Sequence, residues 1–169
     1  MTSISRPQPP STNWILHTAA HSACAAGKVS KSEAKKIALA DAGVKAGKAK
    51  KVRVEVDRDD GVKIYEVEFR TSEYKYEYDV VVKSGSIQKR SMKALKFGKG
   101  SSITRKSAKK IALKHARLKA SKVNGLKVKR DTYRGKACFE VEFRRGAWEY
   151  EYDVCIKGGK ILAFEMDKD

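Results

Sequence analysis

The feature that most constrains this chain is internal repetition. Shifting the sequence by 74 residues superimposes long stretches without a gap. Ala34-Lys35-Lys36-Ile37-Ala38-Leu39 returns at 108–113. Tyr65-Glu66-Val67-Glu68-Phe69-Arg70 returns with Phe139 in the first place, and Tyr76-Glu77-Tyr78-Asp79-Val80 returns at 150–154. Gly61, Gly85 and Ile87 fall on Gly135, Gly159 and Ile161. The reading is two copies, 29–93 and 103–169, joined by residues 94–102. In that bridge Lys96-Phe97-Gly98-Lys99-Gly100-Ser101-Ser102 has the composition of a flexible linker. Residues 1–28 stand outside the repeat. They read as a disordered tail rich in Pro, Ser and Ala, or as a degenerate export signal whose short apolar stretch around Trp14-Ile15-Leu16 is broken off by His17 and His21. Cys24 lacks the apolar residue that a lipidation cysteine expects three positions earlier, where His21 stands.

Each copy opens on helix signals. Ser30 followed by Glu33 has capping-box spacing. Thr104 can cap the second helix, although Ser107 stands where the Glu would be. Ala34, Ala38 and Ala42 form one ridge beside Ile37 and Leu39, and Ala108, Ala112 and Ala116 repeat it beside Ile111 and Leu113. A ridge of small side chains lets a helix lie close to a sheet. Lys106, Lys110, Lys114 and Arg117 fall on the opposite, wet face.

Strand signals follow in the same order twice. Val52, Val54 and Val56 alternate with Arg53, Glu55 and Asp57, and Asp59-Asp60-Gly61 is turn chemistry. A two-residue turn at Gly146-Ala147 places Phe143 opposite Tyr150, Val141 opposite Tyr152 and Phe139 opposite Val154, all on one face with Trp148. A slip of one residue would scatter them over both faces, so the alternation specifies the register. The first copy pairs Phe69 with Tyr76, Val67 with Tyr78 and Tyr65 with Val80 around Ser72-Glu73. A fourth short strand is expected from Ile87 and from Ile161. The predicted fold class is α+β: two repeats, each one helix packed on a three- to four-stranded antiparallel sheet. The aromatic residues read as the core beneath the helix rather than as a platform for stacking bases, because a unit of this size needs their burial.

The other face of each hairpin puts like charges opposite each other: Glu66 and Asp79, Glu68 and Glu77, Glu140 and Asp153, Glu142 and Glu151. Such pairs are destabilising. Intramolecular cations are expected alongside, with Lys127, Lys129 and Arg53 as candidates. Cys138 and Cys155 also fall opposite each other. A disulfide there requires export and suitable pairing geometry. The simpler reading is two small apolar residues, as Ile64 and Val81 are in the first copy.

Charge points to anionic partners. The net charge is +18, and residues 103–136 are densely basic with Asp131 the single acid, whereas 137–169 lean acidic. The tentative anion-binding residues are therefore Lys106, Lys110, Lys114 and Arg117, for nucleic acid or an anionic wall polymer. No recognised nucleic-acid reader motif accompanies them. No apolar run approaches the ~18–20 residues of a spanning helix. No catalytic, metal or cofactor site is legible. His115 reads as a packed or surface histidine rather than a general base, no Cys/His spacing suggests zinc, and Gly98-Lys99-Gly100-Ser101 lacks the spacing of a phosphate loop.

With the repeat laid out, the chain resembles the PepSY family, found in propeptides of thermolysin-like metallopeptidases and in small exported bacterial proteins. The matching residues are Ala34 to Leu39, Asp59-Asp60-Gly61, Tyr65 to Phe69, Tyr76 to Asp79, Gly85 and Ile87, and then Ala108 to Leu113, Phe139 to Phe143, Tyr150 to Asp153 and Gly159-Lys160-Ile161. Ser84-Gly85 and Gly158-Gly159 stand in place of the family's Thr-Gly, and Tyr133-Arg134-Gly135 replaces the acidic turn. The resemblance implies a non-catalytic module without cofactors that inhibits or regulates peptidases. Its expected partner is a protein, a metallopeptidase among the candidates, met in trans because no peptidase segment follows. It implies an extracellular or cell-envelope location, while the N-terminus leaves a cytoplasmic one open. It supplies no fixed functional residues.

Overall fold

The computed structural model describes residues 28–168. The N-terminal tail, with His17, His21 and Cys24, lies outside the described residues. Elements run in chain order as helix α1 (Lys31–Asp41), strands β1 (Lys50–Asp59), β2 (Val62–Arg70), β3 (Tyr74–Val81) and β4 (Ile87–Ala94), helix α2 (Arg105–Ala116), then β5 (Asn124–Tyr133), β6 (Lys136–Arg145), β7 (Trp148–Cys155) and β8 (Ile161–Lys168). A single 3₁₀ turn precedes β1 and β5, at Ala46–Lys48 and Ala120–Lys122.

Both helix starts follow from their caps. Ser30 forms the full capping box with Glu33, and Thr104 accepts from the Ser107 backbone N–H. Without a Glu at the third position, the second cap satisfies only one orphan donor. The alanine ridges turn inward: Ala34, Ala38, Ala108 and Ala112 are completely buried. The α1 helix rests on β1, β2 and β3, and α2 rests on β5, β6 and β7.

The hairpin registers match the alternation. Phe69 pairs with Tyr76, Val67 with Tyr78 and Tyr65 with Val80. Phe143 pairs with Tyr150, Val141 with Tyr152 and Phe139 with Val154. Gly146 takes φ 60 in the tight turn. The rings stack beneath the helices. Phe69 lies 4.8 Å from Tyr76, and Phe143 lies 4.9 Å from Tyr150, centroid to centroid. Phe69, Val67, Phe143, Val141 and Tyr152 are fully buried or nearly so. Phe69, Tyr78, Phe139, Phe143 and Tyr152 are thus core, each worth roughly 1.5–3 kcal/mol of burial, and Tyr65, Tyr76, Trp148 and Tyr150 pack half-buried against it.

One expectation needs correction. The strands do not form two separate three- to four-stranded sheets. They form one antiparallel eight-stranded sheet in the order β1-β2-β3-β4-β8-β7-β6-β5. The fourth strands are full-length, and they pair with each other: Arg90 with Met166, Ser91 with Glu165, Met92 with Phe164 and Lys93 with Ala163. The physical reason is edge satisfaction. A four-stranded unit would leave the β4 and β8 backbone donors and acceptors exposed, and pairing them closes both edges at once. The outer edges, β1 and β5, are heavily charged and each is kinked by a bulge, near Lys51 and Gly125.

Residues 95–102 lie against both halves. The Leu95 backbone N–H donates to the Glu73 carbonyl and the Gly158 N–H donates to the Ser101 carbonyl, and Ser102 bridges Lys157. The glycines that give this stretch its linker composition permit close backbone approach. A Cβ on Gly158 would collide with the Lys99 backbone, and one on Gly98 with the Lys157 carbonyl. Gly135 has the same left-handed backbone as Gly158 but open space around it. Both Gly→Ala substitutions carry the same conformational cost of about 1–2 kcal/mol. Gly158→Ala should lose about 1–3 kcal/mol more than Gly135→Ala in urea unfolding, from overpacking against Lys99.

Candidate functional site

The helices cover one face of the sheet. The other face carries most of the chain's 20 acidic residues. Glu66 lies opposite Asp79 and Glu68 opposite Glu77; Glu140 lies opposite Asp153 and Glu142 opposite Glu151; Glu151 lies opposite Glu165 and Glu149 opposite Asp167. The carboxylate ladders of the two halves therefore share one surface. Because side chains alternate along each strand, the same pattern that buries the rings drives the carboxylates outward together.

Cations from neighbouring strands relieve part of this repulsion. Lys129 on β5 lies 2.7 Å from Glu140 and 3.0 Å from Glu142. Lys75 on β3 pairs with Glu68 and also approaches Glu77 at 3.7 Å. Lys89 reaches across the central seam to Glu165 at 2.9 Å and Asp167 at 3.7 Å. Of the three cations expected from sequence, Lys129 makes these contacts, and Lys127 lines an open hollow of about 630 Å³ with Glu142, Glu151 and Glu165. Arg53 instead pairs with Glu55 on its own strand, at 2.7 Å. Lys75 and Lys89 were not legible, because their partners come from a hairpin register and an inter-repeat pairing respectively.

Relief is incomplete. Burial and the facing Glu66 push Asp79 up to about 6. Burial first, then the Glu142 hydrogen bond, raise Glu140. Burial and the neighbouring Asp153 raise Glu151. Asp131, Glu140 and Asp153 bring carboxylate oxygens within 4.8 Å of one another, and they are the group whose donor set could hold a hard cation. The Lys129 ammonium already stands on Glu140 there. Beside them Cys138 pairs with Cys155 across the strands. Both are free, buried thiols. The Cys138 thiol donates to Asp153 Oδ1 at 3.3 Å, and burial pushes it up to about 12, so it stays protonated at neutral pH.

The candidate anion-binding residues lie along α2 and at its C-terminal end. Lys106, Lys110 and Lys114 are exposed along α2. Arg117 is the C-cap in a left-handed conformation, and it lines a cleft between the helix ends. His115 keeps an exposed edge, stacks edge-on against Tyr152 and Phe164, and bonds the Tyr152 hydroxyl through Nδ1 at 3.1 Å. It holds a packing position. Among the described residues no helix is long and apolar enough to cross a membrane.

Comparison with known proteins bears on this arrangement. Residues 28–90 match the family model described as "Peptidase propeptide and YPEB domain". This segment is a PepSY domain. It comprises α1, β1, β2, β3 and the start of β4. An uncharacterized protein of Streptococcus pyogenes serotype M6, Spy1430, is 39% identical over 64 residues, which is 38% of this chain and 49% of that protein. The chain thus spans about half the length of that relative. Two solved structures match over most of this chain's length. The Bacillus megaterium YpeB C-terminal domain has a TM-score of 0.49 at 14% identity, covering 82% of this chain and 63% of that one. The Clostridium difficile 630 protein CD1622, described as a candidate lipoprotein, has a TM-score of 0.35 at 18% identity, covering 83% and 95%.

The carboxylate face of the PepSY domain and its continuation generate a pH prediction. A carboxyl group raised in the folded state stabilises the fold fully below its unfolded value, near 4 for Asp79, and that contribution is lost as pH rises through about 6. Melting temperature should therefore fall between pH 4 and pH 7 on this account. Asp79→Asn should flatten that slope and raise the melting temperature at pH 7.5. Lys129→Met should lower it at the same pH, since Glu140 and Glu142 lose their shared cation.

Proposed function

We propose that the chain is a non-catalytic, tandem PepSY module that binds a protein partner in trans, and that the partner class is a peptidase outside the cytoplasm. The observation that carries this reading is the match of residues 28–90 to a family described by its peptidase propeptides. The second half supports its extension to 103–169. In β5 and β6, Lys127 pairs with Glu142 and Val128 with Val141, as Arg53 pairs with Glu68 and Val54 with Val67 in β1 and β2. An envelope or extracellular location accords with the family resemblance. The functional groups present, a carboxylate ladder compensated by lysines and thiols held protonated, suit recognition better than bond-making chemistry.

The experiment uses the purified full chain as bait against the secreted and envelope fractions of the source bacterium. A peptidase should co-elute, and its activity on a casein substrate should fall as the chain is titrated in. Elution of no peptidase, together with unchanged proteolysis in the fraction, would overturn the reading.

The exposed lysines of α2 support a second reading, an electrostatic hold on an anionic polymer. Affinity for such a polymer should fall steeply with salt. Replacing Lys106, Lys110, Lys114 and Arg117 by Gln should weaken it further, and unchanged binding would dispose of it.

A further inference from the structure

The seam between the halves opens, on the helix side, into a cleft of about 340 Å³. Met92 of β4 and Phe164 of β8 lie in it, and the C-terminal ends of both helices flank it through Asp41 and Arg117. That volume falls within the range of small-ligand sites.

The cleft has two unlike ends built from equivalent positions. Shifted by 74 residues, Asp41, Tyr78 and Arg90 fall on His115, Tyr152 and Phe164. In the first half the trio is ionic: Asp41 Oδ2 accepts from Arg90 at 2.9 Å and from the Tyr78 hydroxyl at 3.2 Å. In the second half the trio is aromatic, with Phe164 stacked 4.6 Å from Tyr152 and His115 edge-on to both. The same fold thus accepts Phe where the first half has Arg. Packing alone does not require a guanidinium there.

Arg90 also carries a cost. Its Nη1 is held by Asp41, while its Nε–H is buried without an acceptor. A buried donor without an acceptor is unfavourable. With Arg117 at the other wall, guanidinium groups outnumber the one carboxylate, Asp41. Phe at the equivalent position shows that the fold does not need a guanidinium here, and Arg90 with Arg117 leaves the cleft walls with more cationic than anionic side chains, which a bound anion would answer.

We propose that this cleft binds the C-terminal carboxylate of a peptide whose last residue is apolar. The carboxylate would sit against Arg90 and Arg117, and the last side chain against Phe164 and Met92. The charge chooses an anion, the planar guanidiniums favour a carboxylate, and the aromatic end chooses an apolar body. The site needs both halves, since β4 supplies the cation and β8 the aromatic floor. The assignment rests on the protein-binding reading above and specifies which part of a partner is gripped.

The test titrates the full chain with fluorescein-labelled pentapeptides that end in each of the natural residues, each as the free acid and as the C-terminal amide. Octanoate and 3-phenylpropionate are run as competitors. Free acids ending in Leu, Met or Phe should bind about tenfold tighter than their amides. Arg117→Gln, on an exposed side chain, should cut that preference without moving the melting temperature. Asp41→His with Arg90→Phe, which copies the second half, should fold and lose the preference. Equal affinity for acids and amides, no binding by any peptide, binding of the small acids alone, or variants that bind as the parent does would each overturn the assignment. Peptide binding without peptidase capture would leave the cleft standing and the functional reading fallen. Peptidase capture undiminished in the double variant would do the reverse.

Discussion

The rest of the structure depends on the backbone pairing of β4 with β8. Each half carries its own alanine-ridged helix and its own ring-bearing strands, yet each also ends in a strand whose outer edge has unpaired donors and acceptors. Antiparallel pairing of Arg90–Lys93 with Ala163–Met166 joins those edges and makes one sheet of eight strands. The pairing also extends the core. Met92 belongs to the same buried cluster as Phe143, Tyr152, Phe164 and Met166, and Tyr74 and Tyr76 pack against it. An edge that would invite aggregation becomes the middle of the molecule.

Two surfaces of opposite character follow from this union. The helices place Lys106, Lys110 and Lys114 on one side, and strand alternation places the carboxylate ladders of both halves on the other. A chain of net charge +18 thereby gathers carboxylates from both halves on one sheet face. Lys129, Lys75 and Lys89 offset part of its repulsion, while burial and then the facing Glu66 still raise Asp79. Lys89 acts across the seam, so even the electrostatic balance of one half depends on the other.

The equivalent positions of the two halves also show where the fold leaves freedom. Cys138 and Cys155 replace Ile64 and Val81 in the same paired register, and the buried site tolerates either pair because both are apolar and compact. Asp41, Tyr78 and Arg90 against His115, Tyr152 and Phe164 is a larger divergence, confined to the seam cleft. Gly158 and Gly98 have the least freedom, since neighbouring backbone fills the space a side chain would need.

The sequence by itself determined the local order. Ser30 and Thr104 mark the helix starts, the alanine ridges mark the buried faces, and the alternation around Gly146-Ala147 and Ser72-Glu73 leaves one register for each hairpin. Those signals are short-range, and a one-residue error in them would expose the core. Pairing with Lys129 was legible too, because it lies on the adjoining strand. The tertiary structure alone decided that β4 and β8 meet. Ile87–Ala94 and Ile161–Lys168 are separated by a whole repeat, no turn fixes their register, and any free sheet edge offers the same backbone groups. The docked 95–102 segment, the cross-seam contacts of Lys89 and the cleft around Arg90 all follow from that one long-range choice.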